Sequence, residues 1–403
     1  MGWRLPLRSL WRNRRRTILS LAVIALGSAV SMFVFGFLEN SRLQIQQSSV
    51  QEYGNLQIAS PKLWDNKTDG YDYLILPAAT TRVAELLAAE PGFRGSTSEL
   101  QFSGLLGTGR ATQVIRAIGI EPGNPVLDFA DHAVDGRGLQ PFDTAAAFVG
   151  RTLAEKLSLS VGSIVMVTLT TVNGAYNASP FTVVGIYKYS NEQFEQQVVF
   201  VPLPFAQRLL GTDGIDRIVV SLDRISDTSP VAARLVTALA SDHLDLAPRA
   251  WDDLSPFYRQ LASYFNVLFA FLSLAISILV FFIILEVQTL AFLERTREVG
   301  TIRALGTTQR EVFGLFFAES AWLAAMGGVL GVAVGSLLIG GFNAAGIRWL
   351  PPGTIEPFTL GAIIGAKTVL VPLAVSLVAT LLSALYPAAQ ASHLRVVDAL
   401  RVE

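Results

Sequence analysis

The apolar residues of this chain are gathered into four long runs, at 18–38, 261–290, 312–340 and 366–386, with a mixed stretch of more than two hundred residues between the first and second. At ~1.5 Å of helical rise per residue, ~20 apolar residues cross a hydrocarbon core about 30 Å thick. Each run is long enough to do so. Only 16% of the chain is charged, against about a quarter in ordinary soluble domains. Concentration of the apolar residues into blocks marks spans rather than the core of one soluble fold. Phe257, Tyr258 and Tyr264 supply aromatic anchors at the start of the second run, and Lys367 can snorkel at one end of the fourth.

Arginines set the orientation. Arg4, Arg8, Arg12, Arg14, Arg15 and Arg16 precede the first run, which places segment 1–17 in the cytoplasm. A cleaved signal peptide is the rival reading, but the run exceeds the ~7–15-residue apolar core of such peptides. Four spans return the chain to the cytoplasm. Segment 291–311, with Arg295, Arg297, Arg303 and Arg310, and tail 387–403 are then inside. Segments 39–260 and 341–365 are outside. Residues 40–259 carry 23 acidic and 17 basic side chains, in keeping with that direction.

The outer region is expected to be an α+β domain. Polar residues 40–53 read as the first span's helix continuing outward as a stalk, and 251–260 as a second stalk leading back. Helices are expected at 80–89, 144–157 and 230–239. Strands are expected at 113–120, 217–222 and 244–247, with a β-rich insert near 131–202. The chain has no cysteine, so a packed core must hold this domain together without disulfides.

Catalytic constellations are missing. His132, His243 and His393 are scattered without metal-ligand spacing. Gly361-Ala-Ile-Ile-Gly365-Ala-Lys367-Thr368 looks like a phosphate loop, but that loop needs Lys directly after its second Gly, and no Gly-Lys pair occurs. Asn66-Lys67-Thr68 matches a glycosylation sequon of a kind that arises by chance. Gly327, Gly331 and Gly335 give the third span a small face suited to close helix packing. Glu319, inside that span, is expected to reach the inner interface or pair with a loop arginine, and Glu286 reads the same way. Pro372 is expected to kink the fourth span. No nucleic-acid partner and no metal are expected.

The cytoplasmic loop is more informative. Glu294, Arg297 and Glu298 fall at i, i+3 and i+4 of a helix, and Val299, Ile302 and Leu305 form an apolar face ending near Gly306. Such a helix fits either a groove on a soluble partner or the lipid surface.

Glu294-Arg-Thr-Arg-Glu-Val-Gly-Thr-Ile-Arg-Ala-Leu-Gly306 resembles the loop after the second span of MacB/FtsX-type ABC transporter permeases, also called type VII or mechanotransmission ABC proteins. Three other regions are similar to that family. They are Leu10-Trp-Arg-Asn-Arg-Arg-Arg-Thr17, Glu319 followed by Gly327-Gly328 and Gly331, and Tyr386-Pro387-Ala388 followed by Asp398-Ala-Leu-Arg401. The family shows Pro-x-Glu-Ala-Leu at the tail, where this chain has Val-Val-Asp-Ala-Leu. The resemblance implies a membrane α-helical fold of four transmembrane helices, with a large α+β, MacB-like periplasmic core domain between helices 1 and 2. It implies a bacterial inner-membrane, non-catalytic subunit working with a second permease copy or a sister permease. A pair of separate ABC ATPase subunits would hold ATP and Mg, leaving this chain without a cofactor.

Under the same resemblance, Glu294, Arg295, Arg297, Glu298, Val299, Gly300, Ile302, Arg303, Leu305 and Gly306 form the ATPase-coupling site. Membrane lipid and either a periplasmic adaptor or a lipoprotein substrate are the further partners. Tyr53-Gly-Asn-Leu-Gln-Ile58 and the chain length are most similar to the lipoprotein-releasing LolC/LolE branch. An FtsX-like scaffold that activates a cell-wall hydrolase and a MacB-like part of an envelope-spanning exporter are the alternatives.

Overall fold

The computed structural model describes residues 14–66, 71–124, 126, 132–189, 192–294, 296–349 and 358–393. Arg4, Arg8 and Arg12, two residues of the sequon, and the 398–401 tail lie outside the described residues. The chain divides into two compact units, one of Met1–Gln44, Gln260–Arg348 and Thr359–Glu403, the other of Ile45–Arg259 and Trp349–Phe358.

The first unit is helical. Four described helices are long and apolar enough to cross a membrane, within Thr17–Tyr53, Tyr258–Leu290, Gln309–Ala344 and Ala366–Gln390. The first is one unbroken helix, Arg14–Tyr53, so the polar stretch after the apolar run stays helical. The third, Gln309–Ala344, presents small residues where other spans cross it. A Cβ built at Gly327 would stand 2.7 Å from Ile24 Cγ2, at Gly331 2.5 Å from Ser28 Cβ, and at Gly335 2.9 Å from Met32 Sδ. Ile24, Ser28 and Met32 themselves recur every fourth residue, so the two helices meet along one straight seam. Gly328, on a neighbouring face, accommodates Leu373 of the fourth span.

Glu319 is buried on the seam face, between Phe316 and Leu323. The buried Thr380 and Ser320 hydroxyls bond back into their own helices, Thr380 Oγ1 to Ser376 O at 2.8 Å and Ser320 Oγ to Phe316 O at 3.1 Å. That return bond keeps polar side chains tolerable in hydrocarbon. The fourth helix, Ala366–His393, runs through both Pro372 and Pro387. Segment 361–365, the phosphate-loop lookalike, closes the outer end of the helices. Asn343 exchanges two 2.9 Å hydrogen bonds with Ala362, and Ile363 N donates to Gly36 O at 3.1 Å.

The second unit is a ten-stranded sheet. Its strands are β1 (Leu56–Ala59), β2 (Phe93–Gly107), β3 (Thr112–Ile120), β4 (Ala133–Gly136), β5 (Ala146–Gly150), β6 (Ile164–Thr170), β7 (Tyr176–Tyr187), β8 (Val198–Pro202), β9 (Arg217–Leu222) and β10 (Ala247–Ala250). The order is β10-β1-β9-β2-β3-β8-β5-β7-β4, with β6 joined to β2 and β7. Strand β2 links the two halves: Phe93–Glu99 pairs with β9, and Leu100–Gly107 pairs with β3. Helices α1 (Pro77–Ala88) and α2 (Thr228–Ser241) lay Val83, Leu87, Val231, Leu235 and Leu239 on the core formed by Leu56, Ile58 and Val220. Each such side chain contributes roughly 1.5–3 kcal/mol by leaving water.

Two local expectations need correction. Stretch 144–157 is not helical throughout. Ala146–Gly150 is a strand buried on both faces, and only Arg151–Leu157 is helix. A short continuous apolar run has no period that separates the two states, and pairing with β7 and β8 decides it. The strand expected at 244–247 begins at Ala247 and pairs with β1 through Ala250.

Candidate functional site

The helix of the second span, Pro256–Glu294, is followed by a nine-residue helix, Thr296–Ala304, before the third span begins at Gln309. Its start is stitched by Thr296 Oγ1, which donates to Leu293 O at 2.9 Å. It ends because Gly306 takes φ +98°, a left-handed conformation that glycine adopts without strain. Leu305 N and Gly306 N donate to Thr301 O and Arg303 O at 3.1 and 3.0 Å. The next helix is fixed by a capping box, in which Thr308 and Glu311 each cap the other's backbone N–H. The short helix is therefore bounded on both sides by specific stop and start chemistry.

Its apolar face is divided between two tasks. Val299 is buried with Val312, Phe316 and Ala388, against the bases of the third and fourth spans, and Gly300 is buried beside it. Ile302 is 39% exposed and Leu305, just past the helix, 83% exposed. The single stripe Val299–Ile302–Leu305 read from spacing is thus an inward anchor and an outward pair. Arg303 is half-buried, and Gly306 is exposed. Arg295 and the side chains of Glu294, Arg297 and Glu298 lie outside the described residues.

A second place of interest is where the stalks join the sheet. Gly54 ends the first stalk at φ +74°. Asn55 follows, with Asn55 N donating to Val220 O at 2.8 Å and Asn55 Oδ1 accepting from Leu222 N at 2.8 Å. Its carbonyl accepts from Trp251 N at 3.1 Å, at the start of the returning stalk. Ser49 and Ser255, one on each stalk, face each other at 3.4 Å. Asn55 is buried and gathers both stalks and β9 on one side chain and one peptide. Sequence spacing gave no signal of this knot, because its partners are some 165 to 195 residues away.

Among the described residues no group of His, Asp and Glu could hold a metal ion.

Comparison with known proteins fits this architecture. Residues 17–238 match the MacB-like periplasmic core domain, and residues 267–396 match the FtsX-like permease C-terminal domain. The chain is 24% identical over 431 aligned residues to the uncharacterized ABC transporter permease YvrN of Bacillus subtilis (strain 168), covering 99% of each. It is 28% identical to the macrolide export ATP-binding/permease protein MacB of Nitrobacter winogradskyi over 54% of this chain, which is 34% of that protein. It is 25% identical to the pyoverdine export ATP-binding/permease protein PvdT of Pseudomonas fluorescens (strain Pf0-1), over 98% of this chain and 58% of that protein. With one domain match spanning more than half of its length and the second running from within the second span through the fourth, this chain belongs to the MacB/FtsX-type family of ABC transporter permeases.

Proposed function

We propose that this membrane subunit converts the closure of a separate ABC ATPase pair into movement of its extracytoplasmic domain, and so extracts or exports an amphipathic substrate such as a lipoprotein. The family implies an ABC ATPase partner. The observation that carries the reading is the short helix Thr296–Ala304, anchored inward by Val299 while Ile302 and Leu305 remain exposed. An anchored helix with outward apolar side chains docks into a groove and transmits a push to the spans it rests on. The helix of the first span is continuous through Tyr53, and Gly54 and Asn55 lead from it to the sheet's first strand at Leu56.

A second permease copy, or a sister permease, is the second element of the proposal. The second span is only 11% buried within the chain, against 39% for the other three. Val267, Phe271, Leu274, Ile278 and Phe282 form its open stripe. Lipid and a neighbouring permease share that stripe in this reading. Relatives named for macrolide and pyoverdine export support export as the activity.

The test is Leu305→Asp in the full chain, co-expressed with its ATPase subunit and recovered by affinity purification. Leu305 is exposed, so insertion and folding should be unchanged while ATPase recovery falls at least tenfold, about 1.4 kcal/mol. Equal recovery, with equal ATP hydrolysis, would show that the helix rests on lipid.

A further inference from the structure

A chain of polar contacts, mostly buried, runs from the end of the first stalk into the sheet. Tyr53, the last residue of the stalk helix, gives its carbonyl to Gln57 Nε2 at 2.9 Å. Gln57 Oε1 accepts from Arg217 Nη1 at 3.1 Å. Arg217 Nη2 stands 3.3 Å from Asp216 Oδ2, and Arg217 Nε 3.9 Å from Glu99 Oε2. Glu99 and Arg217 are direct cross-strand partners on β2 and β9, so sheet register brings them together. Gln101 closes the cluster, with Nε2 donating to Glu99 Oε2 at 3.2 Å and its backbone N donating to Asp216 Oδ2 at 3.2 Å. Asp216, Gln57 and Glu99 are 2%, 3% and 6% exposed.

The charges do not balance. Two buried carboxylates face one guanidinium. The other titratable groups around them are Tyr73 from the segment before α1, Arg116 from β3, and Glu52 and Tyr53 from the stalk. Glu121 is occupied nearby with Ser98 N. Arg116 is surface-exposed with its guanidinium 6.0 Å from the Phe194 ring centroid, so it offsets the excess only from a distance. An uncompensated buried anion is costly, and taking up one proton removes it. Burial, reinforced by the Asp216 charge, pushes the Glu99 carboxyl up to about 7 in spite of Arg217. Burial raises Asp216 as well.

We propose that Glu99, Asp216, Arg217 and Gln57 form a proton-responsive joint between the first stalk and the sheet. With one proton on the two carboxylates the cluster is neutral, and Arg217 holds Gln57 and the stalk end firmly. With that proton gone, the excess charge draws in water and the hold loosens. The acidity outside the membrane thereby sets how stiffly the stalk is coupled to the domain. The inference deepens the permease reading and rests on it for the meaning of that stiffness. Glu99 and Arg217 act through Gln57, as positioning residues.

The test is amide hydrogen exchange of the full chain in lipid nanodiscs, without ATPase, corrected for the intrinsic pH dependence of exchange. Amides of 51–58 should lose about tenfold in protection between pH 6 and pH 8, a loss of the size one linked group can supply. Glu99→Gln should keep them protected at both pH values. Gln57→Leu should leave them weakly protected at both, with β5 and β8 unchanged in every variant. A flat wild-type profile overturns the proposal, and so does a Glu99→Gln variant with the wild-type fall. Should Glu99→Gln fail to fold, Gln57→Leu decides, because a retained wild-type profile there also overturns it. No ATPase is present, so these outcomes are independent of the co-purification result for Leu305→Asp.

Discussion

Glu99 is an acid placed where its neutral form is the comfortable one, and folding stability should record that. Its ordinary value is 4.5, and burial raises it to about 7 in the folded chain. Below pH 4.5 both folded and unfolded chains hold the proton, so the contribution to stability is fully present. Between 4.5 and 7 the unfolded chain ionises first and stability falls. Above 7 the loss is complete, on the order of 3 kcal/mol. Asp216 is raised too and acts in the same direction. Glu99→Gln removes the titration while keeping the shape. The expected outcome is a variant more stable than wild type at pH 8 and close to it at pH 5, read from thermal unfolding followed by tryptophan fluorescence. A variant less stable than wild type at pH 8 would show that the ionised carboxylate, held by Arg217, is the stabilising form.

At the scale of elements, the seam between the first and third spans is set by three glycines. Water supplies no driving force for helix association in lipid, so close packing has to. A side chain at Gly331 meets Ser28 Cβ and the carbonyl of Ala25, at 2.5 and 2.8 Å from its Cβ. Neither can swing aside, as one is a Cβ and the other backbone. Gly331→Val should therefore cost at least the ~1–3 kcal/mol typical of overpacking and lower the thermal stability of the purified chain. Gly340, on the same helix, has nothing within 4 Å of a built Cβ. Gly340→Val should be neutral, and equal losses at both positions would mean that the close approach at Gly331 is not what the substitution disturbs.

The spacing of Gly327, Gly331 and Gly335 was legible in the sequence, but the identity of the partner was not. Ile24, Ser28 and Met32 are three hundred residues away and carry no mark of the pairing. Strand β2 escaped for a different reason. Gly95, Gly104 and Gly107, with Ser96, Thr97, Ser98 and Ser103, interrupt its alternation, and only pairing on both sides makes Phe93–Gly107 a strand. The spans themselves were plain because hydrocarbon thickness imposes one length on every solution. The coupling stripe was half legible. Period alone groups Val299 with Leu305, whereas packing against Phe316 and Ala388 separates them.

For the whole molecule, the proposed function requires the short helix and the sheet to lie on opposite sides of the membrane. With four crossing helices and an arginine-rich start, the positive-inside bias predicts the helix Thr296–Ala304 in the cytoplasm and the ten-stranded sheet outside. The absence of cysteine makes this directly testable, since any introduced thiol is unique. Tyr176 is 88% exposed on β7, and Leu305 is 83% exposed after the short helix. Neither contributes to a core, so Tyr176→Cys and Leu305→Cys should both insert and fold. A membrane-impermeant maleimide added to intact protoplasts should label the Tyr176→Cys chain fully and leave the Leu305→Cys chain unlabelled. Permeabilisation should then expose Leu305→Cys to the same reagent. Labelling of both thiols in intact protoplasts would mean an even number of crossings between them, instead of the single second span. Labelling of Leu305→Cys alone would invert the molecule and place the proposed ATPase site beyond the reach of ATP.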